Sequence, residues 1–309
     1  MASQAMEERL AALTDMLEQG VQEIYTSGRY GAYLSMMAKF HQYSFGNIML
    51  IFLQCPHATQ VAGYTKWKKD FGRNVKRGEK GIQILAPCPY RKLIESERID
   101  PDTGLTVCGA DGTVLKETQL VTRAWFKPAT VFDVSQTEGR ELPTLGVSEL
   151  SGQVEQYQER LERLYSYAPV PVVYEDVQGA AKGYFSAKER RIVLRPGMSQ
   201  TQTIKTLVHE ISHAKLHDPE TVPQEEQKSR AEREVEAESV AYVVCRYLGI
   251  DTSEYSFGYV AGWSQEKKLE VLKGSLDRIR ATAAELIRAV EPPTKNIAKA
   301  EPKKEKFIR

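Results

Sequence analysis

Ser199-Gln-Thr-Gln-Thr-Ile204-Lys-Thr-Leu-Val-His209-Glu210-Ile-Ser-His213-Ala-Lys-Leu-His217-Asp218 puts three of the chain's five histidines and one glutamate into nine consecutive positions. Ser199 and Gln202 have capping-box spacing, Ile204, Leu207, Val208 and Ile211 form an apolar stripe, and Asp218-Pro219 stops the run, so the stretch predicts a helix. His209 and His213 then lie one turn apart on one face, while Glu210 is rotated by about 100°. Two imidazoles so placed can share a zinc ion at bonds of roughly 2.0 to 2.1 Å, leaving Glu210 to face the water beside it.

The spacing is the HExxH of metallopeptidases, a string that a surface helix can also carry by chance. Its surroundings favour the metal. Ser229-Arg-Ala-Glu232 is a second capping box opening a helix to about Leu248, with Ala237, Val240, Ala241, Val244 and Leu248 on its apolar side. A catalytic zinc keeps three protein ligands and an open position, and Glu232, Glu234, Glu236 and Glu238 lie in the first turns of this helix. Periodicity leans toward Glu234 but leaves Glu236 and Glu238 open, and most of the four are expected to be solvated acids.

Ahead of the HExxH stretch, Leu150 to Tyr167 is an amphipathic helix, and Val170 to Tyr174 and Gly183 to Leu194 read as strands, the latter broken by a turn at Lys188-Glu-Arg190. Such a strand can pair with an extended peptide and present its carbonyl to the metal. Further on, Tyr255 to Trp263 is an aromatic turn and Gln265 to Val290 a long packing helix. The lysine-rich residues from Glu291 onward lack a core pattern, which predicts a disordered basic tail.

The first half begins with helical patterns over residues 5 to 25, Tyr30 to Phe40 and Ser44 to Gln54. Residues 60 to 92 then carry nine Lys or Arg against two acids, whereas residues 218 to 238 carry eight acids against three bases. In the basic stretch Tyr64, Lys66, Trp67, Lys68, Lys69, Arg73, Lys76, Arg77 and Lys80 interleave aromatic rings with cations. Rings can stack on unpaired bases and cations neutralise phosphates, the combination used by single-strand binders. Trp67 and Phe71, at i and i+4, are equally readable as the buried side of a short helix with solvated lysines. Ile82 to Leu85, Leu93 to Ile99, Thr113 to Leu115 and Gln119 to Phe126 read as strands of an antiparallel sheet, with turns at Asp102-Thr-Gly104 and Ala110-Asp-Gly112.

With 309 residues, 41% of them hydrophobic, the chain can build two cores. Its longest apolar run, Ile48 to Leu53, is far short of the roughly 20 residues of a membrane span, and residues 1 to 30 lack the apolar block of a secretory signal. Cys55, Cys88, Cys108 and Cys245 form no CxxC pair. The expectation is a cytoplasmic protein with no membrane partner.

Two resemblances meet in this chain. His41-Gln-Tyr-Ser-Phe-Gly-Asn47, Ala58-Thr-Gln-Val-Ala-Gly-Tyr64, Trp67, Val75-Lys-Arg-Gly-Glu-Lys-Gly-Ile82 and Val131-Phe-Asp-Val-Ser-Gln-Thr-Glu138 resemble the N-terminal domain of ArdC-type antirestriction proteins, a single-stranded-DNA-binding module of conjugative elements. The second half is similar to the zinc-peptidase domain of the ImmA/IrrE family, through His209-Glu-x-x-His213-x-x-x-His217 and Glu234-x-x-Ala237-Glu238-x-x-Ala241. That resemblance implies a gluzincin-type site with Zn2+ held by His209, His213 and Glu234, and Glu210 as catalytic base. It also implies Glu238 as the partner that supports Glu234, in place of the usual Asp or Asn, and a structural or supporting role for His217.

The expected fold class is α+β: a helical and antiparallel-sheet DNA-binding domain over 1–130, a linker over 131–149, a zincin-like metallopeptidase domain over 150–290 and a tail over 291–309. The expected function is a single-stranded-DNA-binding protein of a mobile element with a zinc-dependent peptidase site and an unidentified protein substrate. The alternatives are a DNA-shielding protein whose zinc is architectural, and a protease that cleaves a repressor.

Overall fold

The computed structural model describes residues 4–100, 103, 105–109, 111–142, 154–177, 179–224, 227–253, 255, 257–264 and 267–291. Beyond Glu291 the expected basic tail lies outside these residues, as do residues 143–149 of the expected linker. The chain is α+β and divides into two units, Met1–Arg29 with Tyr43–Thr144, and Tyr30–Gln42 with Leu145–Arg309. In order, the elements are α1 (Gln4–Thr26), α2 (Tyr30–Lys39), α3 (Phe45–Gln54), β1 (Val61–Ala62), α4 (Tyr64–Asp70), β2 (Arg73–Val75), β3 (Ile82–Glu97), β4 (Lys116–Asp133), β5 (Thr137–Gly139), α5 (Val154–Tyr167), β6 (Val172–Tyr174), β7 (Gly183–Ser186), β8 (Arg191–Leu194), α6 (Gln200–Leu216), α7 (Arg230–Tyr247), α8 (Gly258–Ser264) and α9 (Leu269–Val290).

In the first unit α3 is the buried centre. Ser44 caps it by accepting from the Asn47 N–H, and every residue from Gly46 to Phe52 is buried. Two of its amides replace a missing strand. Asn47 donates to the Leu85 carbonyl and accepts from the Leu85 N–H, and Gln54, two turns on, does the same at Gln83. The backbone of β3 is thereby satisfied on the side away from β4, as a buried edge requires.

β3 and β4 are not the four short strands expected from the sequence. They form one antiparallel ribbon, in register from Ile82 opposite Val131 to Glu97 opposite Lys116. The ribbon runs through Pro87 and Pro89 because proline is tolerated in a strand that lacks a second neighbour. Only the root of the ribbon is core, where Ile82, Ile84 and Val131 are buried.

The root is locked by Asp133, 1% exposed, which accepts from the backbone N–H groups of Thr59, Gln60 and Ser135. Gln136 completes a capping box by accepting from the Asp133 N–H. Burial opposes the charge on Asp133, but these hydrogen bonds outweigh it and hold the carboxyl below its ordinary value. A folded-state pKa below the unfolded value of about 3.9 gives stability that is fully present above that pH and lost as pH falls through the folded value. Asp133→Ala should cost about 2 to 3 kcal/mol in denaturant unfolding at neutral pH, and Asp133→Asn should remove part of the acid-induced loss of stability.

In the second unit a sheet of order β6-β8-β7, parallel between β6 and β8 and antiparallel between β8 and β7, lies against α6. Gly183 sets that approach, since a Cβ there would sit 2.7 Å from the Val193 carbonyl oxygen and 2.8 Å from Thr206. Helix α7 is central, packed by α6, α9 and α2. Small residues Ala237 and Ala241 are fully buried on it. The Tyr30 hydroxyl on α2 bonds Ser239, and Ser35 bonds Tyr242. By its contacts α2 therefore belongs with the second unit, although its sequence position lies within 1–130. The expected aromatic turn contains a short helix, α8, preceded by Tyr255 and Phe257, which pack edge-on against Tyr242. All four cysteines are free. No helix of the described residues is long and apolar enough to cross a membrane.

Candidate metal centre and nucleic-acid surface

Helix α6 starts where Ser199 accepts from the Gln202 N–H, and α7 starts at the reciprocal box of Ser229 and Glu232. Their packing turns His209 and His213 toward Glu234. The facing atoms form a triangle: His209 Nε2 to His213 Nε2 3.0 Å, His209 Nε2 to Glu234 Oε2 3.5 Å, and His213 Nε2 to Glu234 Oε2 3.7 Å. Tetrahedral ligands at roughly 2.0 to 2.1 Å from one ion stand about 3.3 Å apart. The triangle fits, and these three side chains could hold a divalent metal ion.

The atoms facing away from the triangle are also partnered. His209 Nδ1 is 3.3 Å from Glu238 Oε2. Glu238 thus supports a histidine, where the resemblance implied that it supports Glu234. Burial works against a charge on His209, yet hydrogen bonds to Glu234 and Glu238 prevail and hold its pKa at about 10. Those to His209 and His213 hold Glu234 well below the usual carboxylate range. The field that binds a proton at this point is the field that would draw a cation there.

Behind His213 runs a second chain of contacts. His213 Nδ1 is 3.2 Å from His217 Nδ1, and His217 Nε2 is 3.0 Å from Glu236 Oε2. Glu236 is 1% exposed and is paired with Lys228 and Arg278. Although burial disfavours its charge, the hydrogen bond from His217 and then the charges of Lys228 and Arg278 hold its pKa at about 2, while burial pushes His217 down. An ionised Glu236 can only accept, from the Nε2–H of His217, so the Nδ1 of a neutral His217 must accept from His213 Nδ1–H. The bare lone pair of His213 is thereby left at Nε2, inside the triangle. His217→Ala should weaken metal binding by about 10- to 100-fold, as read by competition with a chelating dye.

The expectation that most of the four glutamates are solvated is corrected. Glu232 caps α7 and pairs with Lys267, Glu234 faces the histidines, Glu236 is buried and Glu238 holds His209. Sequence reading left Glu236 open as a metal ligand and missed its pairing with His217, because the two lie 19 residues apart.

Glu210 is 7% exposed, and burial raises its pKa, against the pull of His209 and His213 and a hydrogen bond from the Phe185 N–H. It lines a cleft of about 510 Å³ with His209, His213, Glu234, Arg233 and the β7 residues Gly183 to Phe185. β7 is the outer strand of its sheet. Because Phe185 N–H points to Glu210, alternation places the backbone groups of Gly183 on the same outward side.

The basic stretch is placed differently from its sequence reading. Trp67 is 0% exposed, and its indole N–H donates to the Phe132 carbonyl, so it is a core residue and offers no face to a base. Arg73 spends its donors on Thr137 and Arg140, and Lys76 donates to the Ser135 carbonyl. Tyr64, Lys66, Lys68, Lys69, Arg77 and Lys80 remain exposed.

Residues 2–132 match the family model of the N-terminal domain of anti-restriction factor ArdC, and residues 166–245 match the IrrE N-terminal-like domain of the M78 peptidases. An uncharacterized protein of Bacillus anthracis is 28% identical over 303 residues, covering 88% of this chain; the chain spans about half of that relative, 49%. Crystal structures of the antirestriction ArdC protein from R388 plasmid are similar to it. The metal-free form has 20% identity and a TM-score of 0.41 over 79% of this chain and 81% of that one. The Mn(II)-bound form has 16% identity and a TM-score of 0.45 over 79% and 82%. The chain thus joins a region that matches the ArdC N-terminal domain, residues 2–132, to a region that matches the IrrE N-terminal-like domain, residues 166–245.

Proposed function

We propose that this is a cytoplasmic single-stranded-DNA-binding protein of a mobile element that carries a zinc-dependent peptidase site of antirestriction type. The observation that carries the reading is the convergence of His209, His213 and Glu234 on one point, beside buried Glu210, in an open cleft. Two imidazoles and one carboxylate are the donor set of gluzincin-type zinc sites. When bound, zinc supplies Lewis acidity, polarising a carbonyl and lowering the pKa of a water toward about 7.

The chain's own residues do the rest. Glu238 and the Glu236–His217 pair fix the tautomers and ring planes of His209 and His213. The outward backbone groups of Gly183 on β7 pair with an extended substrate and lay its carbonyl across the cleft. Glu210 takes the proton of the attacking water and returns it to the leaving amine. The ArdC domain match supports the DNA-binding half.

A restriction-protection assay tests the reading as a whole. Glu210→Gln should lose protection if cleavage is the protective act. Retained protection would instead favour a protein that shields DNA with no proteolysis.

A further inference from the structure

The ribbon of β3 and β4 extends its backbone pairing well beyond the buried core, and its two faces differ in chemistry. Alternation along the strands puts Ile82, Ile84 and Val131 on one face at the root. Continuing outward, that same face carries Lys127, Trp125, Tyr90, Arg123 and Lys92. Trp125 and Tyr90 are 46% and 42% exposed, and the three cations are exposed as well. No carboxylate appears on this face until Glu117, whereas the opposite face carries Glu95 and Glu97. Among the described residues neither ring stacks on another ring or a cation, and none of the three cations is in an ion pair.

The register orders these groups. On β4, Lys127, Trp125 and Arg123 follow one another at steps of roughly 6.6 Å, and Tyr90 lies directly across from Arg123 and diagonal to Trp125. Cation, ring and cation thus alternate along an extended backbone. Unpartnered rings on a uniformly positive face are complementary to a polyanion whose bases are free to stack. The stretch first suspected of this task has lost its tryptophan to the core.

We propose that this face of the ribbon is the platform for single-stranded DNA, with Trp125 and Tyr90 stacking on bases and Lys92, Arg123 and Lys127 neutralising phosphates. The inference rests on the single-strand-binding reading of the first unit and names its surface. A protein partner or a second copy of the chain would need cover for apolar area, and this face offers three charges among two rings.

The test uses the full chain and a fluorescently labelled oligothymidylate titrated at several salt concentrations. The double variant Tyr90→Ala, Trp125→Ala should bind at least about twentyfold more weakly, each stacked ring being worth about fivefold or more. The triple variant Lys92→Ala, Arg123→Ala, Lys127→Ala should reduce the slope of log affinity against log salt by up to about 2. Because all five side chains are exposed, melting temperatures should stay within a degree or two of wild type. If wild type binds and both variants match it within twofold, the ribbon assignment is wrong while single-strand binding stands. If wild type fails to bind, both readings fall together. A wild-type dimer that becomes monomeric in the double variant, with DNA affinity unchanged, would make this face a self-association surface and overturn the proposal.

Discussion

Glu210→Gln is expected to retain bound metal at the wild-type level and to lower peptide cleavage by roughly 10² to 10⁴-fold, the usual contribution of a positioned general base. Glu210 faces the cleft from the helix that carries both histidines, yet it is not among the converging ligand atoms. An amide of the same shape keeps the hydrogen bond from the Phe185 N–H and cannot accept a proton. The separation of the two readouts is the informative part. Equal cleavage by the Gln variant would remove Glu210 from the mechanism, and loss of the metal would place it among the ligands.

The second large effect concerns stability. An ion bound only by the folded chain at a thousand times its dissociation constant adds about 4 kcal/mol. Wild type should therefore melt several degrees higher with zinc than with a chelator, and His213→Ala and Glu234→Ala should show no such difference. Glu236→Gln should act otherwise. It leaves Lys228 and Arg278 beside a neutral group and destabilises the second unit by about 3 to 5 kcal/mol with or without metal. The contrast distinguishes residues that hold the ion from residues that hold the residues around it.

How much of this was readable beforehand depended on whether the deciding contact was local. The HExxH helix was legible because its cap, stripe and stop lie within 20 residues, and the side chains share one face for reasons of helical pitch alone. Periodicity only leaned toward Glu234 and left Glu236 and Glu238 open, because α7 packs against α6, α9 and α2 and its buried residues are not confined to one stripe. The resemblance supplied that residue, and the fold supplies the reason: Ala237 and Ala241 are fully buried in the packing of α7 and carry little bulk to hold its neighbours away.

In the first unit the residues that carry the resemblance serve the architecture. Asn47 completes β3, Trp67 bonds the end of β4, and Asp133 with Gln136 locks the root of the ribbon. A basic run with an embedded tryptophan reads the same whether the ring is inside or outside, and only tertiary packing decides. The ribbon face was hidden for a different reason. Tyr90 and Trp125 lie 35 positions apart and become neighbours through strand register alone, which no local pattern encodes.

The central claim is that one divalent ion is held jointly by α6 and α7. Calorimetric titration of zinc into the metal-stripped full chain tests it most directly, with Glu234→Ala and Glu210→Gln run alongside. One ion per chain should bind to wild type and to Glu210→Gln, with binding lost or weakened beyond a hundredfold in Glu234→Ala. Undiminished binding by Glu234→Ala, or none by wild type, would contradict it.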